Sequence, residues 1–164
     1  GDPKQILNYL NRLTEDQEVC FNLLNDRIEH KGKMGFLSLL PSTYQDVKGD
    51  CQAFDSDWFV DIMNFLVNSV PEKSGHAGGV VFEGKNAEGT ECIFIKIRRA
   101  VDFSGVDLRT GEDLIKKLFG NLYMGGGGHA GAVSFRIHPL GEKELMQHLE
   151  TLFGFFNDAI EANA

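Results

Sequence analysis

Met124-Gly125-Gly126-Gly127-Gly128-His129-Ala130-Gly131-Ala132-Val133, MGGGGHAGAV, is the stretch on which the reading of the chain turns. Packing in a core does not call for four consecutive glycines. Each lacks a Cβ, so the backbone can enter positive φ and come close to another group. Successive N–H groups in a loop of this kind form a concave nest that favours anions, and the imidazole of His129 adds a donor at its rim. Composition alone leaves a plain flexible linker open. The flanks argue against one. Leu114, Ile115, Leu118 and Phe119 fall at helical spacing before the run, and residues 132–138 alternate as a strand does after it. The run is therefore expected to be a glycine loop between a helix and a strand.

Working outward, the spacing predicts strands over Lys33–Leu40, Ala77–Glu83, Glu91–Arg99 and Ala132–His138. A hairpin loop, Gly84 to Gly89, joins the middle two. Amphipathic helices are expected over Asp57–Asn68, ending before Pro71, over Gly111–Phe119 and over Gly141–Ile160. Asp2-Pro3 and Thr14-x-x-Gln17 are helix-start patterns, the second helix ending near His30-Lys31-Gly32. The expected fold is α+β: a central mixed sheet flanked by helices, with residues 1–32 a helical connector and residues 33–164 the domain itself.

The chain of 164 residues carries a formal net charge of −8, which argues against a general duplex binder. The charge is uneven. Residues 94–138 hold seven bases and four acids, a local +3 around the glycine run. No apolar run approaches a membrane span, and the start, GDPKQILNYL, lacks the pattern of a secretory leader. Cys20, Cys51 and Cys92 form no C-x-x-C pair, so reduced thiols in a cytoplasmic protein are expected.

GGGGHAGAVSF resembles the GGGH-x-x-A-A-G motif of the DHH-associated domain, the second domain of the DHH phosphoesterases. IKIRRAVDFSGVDLRTGEDLIKKLFGNLYM, upstream, resembles the same family, which carries a strand with a substrate-binding Arg before its glycine motif. The likeness is closest over residues 91–138 and extends over about 33–160. Val133 and Ser134 stand where the family has Ala and Gly. The resemblance implies that Arg98 and the run Gly125, Gly126, Gly127, Gly128 and His129 bind a substrate phosphate. It also implies that the manganese and the catalytic Asp-His-His motif belong to a separate N-terminal domain, the chain's expected partner, so that this chain alone is inactive and holds no cofactor. Nucleotides or short single-stranded nucleic acids are the implied ligands, and family substrates range from oligoribonucleotides to cyclic dinucleotides. A non-catalytic nucleic-acid-binding module, as at the end of alanyl-tRNA synthetases, is the alternative. A structural or homodimerising domain is a third class.

Other residues weigh less. Adjacent strand side chains face opposite ways, so Arg99 is expected to be a solvated charge, and Arg136 and His138 a solvated face. Asp55 and Asp57 read as a helix N-cap, although a D-x-D pair binds metal in the family's catalytic domain. His76 reads as a loop residue, and His30 and His148 as helix-surface residues.

Overall fold

The computed structural model describes residues 15–40 and 59–163. Asp2-Pro3, Thr14, Cys51, Asp55 and Asp57 lie outside the described residues. The elements run α1 (Glu15–Asn25), β1 (Glu29–Lys31), β2 (Met34–Leu39), α2 (Phe59–Ser74), β3 (Ala77–Lys85), β4 (Glu91–Arg99), α3 (Glu112–Phe119), β5 (Tyr123–His129), β6 (Ala132–Ile137) and α4 (Glu142–Glu161). Short 3-10 turns precede and follow α3.

The six strands form one sheet in the order β1-β2-β3-β4-β6-β5. β2 and β3 are parallel and every other pair is antiparallel, so the sheet is mixed and the fold is α+β. Strand alternation divides the apolar residues between two cores. Ile93, Ile95, Ile97, Val133, Phe135 and Ile137 point to the face covered by α3 and α4. Leu37, Leu39 and Val80 point to the face covered by α1 and α2. In α4, Leu145, Leu149, Leu152, Phe153, Phe156 and Ile160 recur at helical spacing and are all buried, each contributing about 1.5–3 kcal/mol by leaving water.

Two bare positions on β3 let the helices close in from opposite sides. A Cβ on Gly78 would come within 2.7 Å of the Pro71 nitrogen on α2, and one on Gly79 within 3.0 Å of the Phe153 ring on α4.

Several expectations need correction. α2 does not stop before Pro71 but carries it inside and runs on to Ser74. Pro71 removes one hydrogen bond of the ladder, and the helix still completes its last turn to Ser74 before Gly75 at φ +78°. Residues 29–31 are not helical: α1 ends at Asn25, and His30 lies on the edge strand β1. The C-terminal end of the expected connector thus belongs to the sheet. Cys20 is buried and disulfide-bonded, so the expectation of three reduced thiols does not hold. The cytoplasmic expectation rested on reduced thiols and loses that support, since disulfides persist mainly in oxidising compartments. Cys92 is a free, buried thiol, raised by burial and partly offset by Arg136. No helix among the described residues is long and apolar enough to cross a membrane.

Candidate phosphate-binding site

The glycine run is a strand and not a loop. Gly125 to Gly128 lie within β5, paired antiparallel with β6, at the edge of the sheet. Their φ angles are +115°, +152°, +158° and +153°, an extended region essentially closed to residues with a side chain. A Cβ on Gly126 would collide with the Ser134 carbonyl oxygen of β6, and one on Gly128 with that of Ala132. At Gly127 a Cβ would stand in open space, and at Gly125 its nearest neighbour would be Arg136 Nη2 at 3.8 Å. An extended ladder does not gather successive N–H groups into a concave nest. What the run offers a ligand is a bare, exposed backbone.

Met124 is the extra residue of an irregularity in the β5–β6 register. Ala130 and Gly131 turn the chain between the two strands without positive φ. The handedness that tight hairpins ordinarily place in the turn is carried here by the strand.

Pairing sets the rest of the site. Arg98 on β4 is opposite Ala132 on β6, and Ala132 is opposite His129 on β5. Directly opposed residues project from the same face. Arg98 and His129 therefore share a face, two strands or about 10 Å apart. It is the face on which α2 lies over β2 and β3. Arg98 donates from Nη1 to Oδ1 of Asn68 on α2 at 2.7 Å, and the rest of its exposed guanidinium faces solvent. Gly131 N–H donates to His129 Nδ1 at 3.1 Å. An accepting Nδ1 carries no proton, so the neutral ring donates from Nε2.

Arg99 faces the other way, as alternation requires, but it is not a solvated charge. It is half-buried and donates from Nη1 to the Val106 carbonyl at 2.9 Å. It also lines an open, mixed polar and apolar groove of about 400 Å³ with Ser104, Val106, Asp107, Thr110, Ala159 and Asn163. Backbone bonds from Arg99 N–H to Gly131 O and from Leu108 N–H to Ala130 O hold the β5–β6 turn to the body of the domain. Asp107 caps the following 3-10 turn and takes two hydrogen bonds from the Arg109 guanidinium. That pairing holds its carboxyl down to about 2.

Lys96 and Arg136, which sequence reasoning set aside or passed over, share the Arg98 face. Lys96 pairs with Ser134, and Phe94 pairs with Arg136. The signal for them was present in the alternation of Lys96 and Arg98 with buried isoleucines. His138 is exposed beyond the end of β6. His76 is a loop residue whose ring meets Phe103 edge-on at 4.9 Å. His148 lies on α4, half-buried against Phe119. Among the described residues, no three His, Cys, Asp or Glu side chains come together as a metal site.

The sequence matches no protein-family model and no curated protein.

Proposed function

We propose that this chain is the substrate-binding domain of a DHH-type phosphoesterase and holds a nucleotide or single-stranded nucleic-acid phosphate while a separate domain carries out hydrolysis. The observation that carries the reading is the row Arg98–Ala132–His129, which sets a guanidinium and an imidazole on one face beside the four-glycine stretch of β5. Arg98 supplies charge and donors, and His129 a further donor from Nε2. Gly125–Gly128 allow the ligand to approach the backbone. Asn68 orients Arg98 from α2. Manganese, on this reading, belongs to the partner domain, and no step of the chemistry is assigned to this chain's residues. A non-catalytic nucleic-acid-binding module would use the same face, and hydrolysis by a joined partner domain separates the two.

The test is titration of the 164-residue chain with a nucleoside 5′-monophosphate, following backbone amide shifts. Arg98→Ala should weaken binding roughly ten- to hundredfold, the effect of losing a hydrogen bond to a charged group of about 1.5–3 kcal/mol. His129→Ala should also weaken it, and Lys85→Ala, on the distant hairpin, should not. Equal affinity in all three variants would overturn the assignment.

A further inference from the structure

We propose that the face carrying Arg98 is a track for a single-stranded oligonucleotide of about three nucleotides, running along β4 and β6 from His129 towards Phe94. The inference rests on the phosphate-binding reading above and specifies its ligand.

The register lays out successive rows across the sheet. The first holds Arg98 and His129. The second holds Lys96, Ser134 and Gly127. The third holds Phe82, Phe94, Arg136 and Gly125. Rows lie about 6.7 Å apart, two strand residues each, a spacing close to that of successive phosphates in an extended single strand. Every row contributes a cation, and no carboxylate stands on this face of β4, β5 or β6. In a chain of net charge −8, three strands that set a cation in each row and no carboxylate on this face are complementary to a polyanion.

Two further features suit a nucleic acid better than inorganic phosphate or an acidic peptide. Phe82 and Phe94 lie ring to ring at 5.2 Å with an interplanar angle of 21°, both partly buried in the third row, Phe82 against the core under α2. Lys96 Nζ sits 5.8 Å from the Phe94 ring centre. An aromatic surface beside cations is how single strands are held without sequence readout. In addition, the β5 side of the second and third rows is glycine: a Cβ at Gly127 would stand in open space, and at Gly125 the nearest group is the cationic Arg136 Nη2 at 3.8 Å.

The experiment measures anisotropy of labelled oligothymidylates of one to six nucleotides on the 164-residue chain. Affinity should climb from one to about three nucleotides and then level off. Lys96→Ala and Arg136→Ala should weaken the trinucleotide severalfold, leave the mononucleotide unchanged, and each lower the salt slope by about 0.7. Phe94→Ala should cost the trinucleotide roughly five- to 150-fold, the worth of a stacked base. Phe94→Leu keeps the apolar contact with Phe82 and should show the same loss if the aromatic surface matters. Binding that depends on Arg98 but not on length, Lys96 or Arg136 would overturn the track and leave the phosphate site standing. No binding at any length would overturn both.

Discussion

Arg99 and Gly131 are joined twice. The Arg99 N–H donates to the Gly131 carbonyl at 3.0 Å, and the Arg99 guanidinium fills the place a Gly131 side chain would take, with Nη2 and Nε 3.2 and 3.3 Å from the ideal Cβ. The same point lies 3.5 Å from His129 Cε1. Gly131 is therefore bare because an arginine from one strand and a histidine from another crowd around it.

The contact ranks two variants. Gly131→Ala should cost under about 1 kcal/mol, since the group that must yield is the end of a flexible side chain. Arg99→Ala loses a charge-assisted bond to the Val106 carbonyl and should cost about 1.5–3 kcal/mol. Urea unfolding of both variants decides the order, and a larger loss in Gly131→Ala would contradict the packing described.

Within the glycine run the expected order is equally definite. Gly127→Ala should cost about 1–3 kcal/mol, from φ alone. Gly126→Ala and Gly128→Ala meet the β6 backbone as well, so each should cost more, enough to open the β5–β6 pair. Amide exchange along β6 would report it; equal protection in all three variants would count against the mirror-image strand.

Asp107 should give the chain an acid-sensitive increment. Its carboxyl is held down to about 2, chiefly by the Arg109 side-chain hydrogen bonds, against about 3.9 when unfolded. A lowered folded value means the unfolded state takes up the proton first. The stabilisation is then present above about pH 4 and disappears as pH falls through 2. Melting temperature should fall less steeply between pH 4 and 2 in Asp107→Asn than in the parent. Identical slopes would show that the pair does not persist in solution.

The thiols should divide by chemistry. Cys92 is buried and its thiol is raised by burial, so it should alkylate only on unfolding, without a reductant. Cys20 should alkylate only after reduction. Peptide mass mapping separates these outcomes, and native labelling of Cys20 in non-reducing buffer would refute its disulfide.

What could be read in advance followed side-chain periodicity. β4 and α4 were legible because isoleucines recur every second residue in one and leucines and phenylalanines every third or fourth in the other. β5 was not, since a run of glycines has no side chains to alternate and its strand character comes only from pairing with β6. β1 offers three exposed polar residues and therefore no pattern at all. His129 was singled out by its place at the end of the glycine run, and Arg98 by the family resemblance. That they share a face depends on the β4–β6–β5 register, a long-range property. Arg99 was misjudged because alternation gives the direction of a side chain but not what waits on the other side, here the Val106 carbonyl and the underside of a turn.

Glycine is the only achiral residue a ribosome can supply, and Gly125 to Gly128 occupy backbone angles that suit D-residues better than L-residues. At Gly125 to Gly128, no single codon change can add a functional group without disturbing β5. Selectivity for one ligand over another must then be acquired on β4, β6 and α2, where side chains are free to vary.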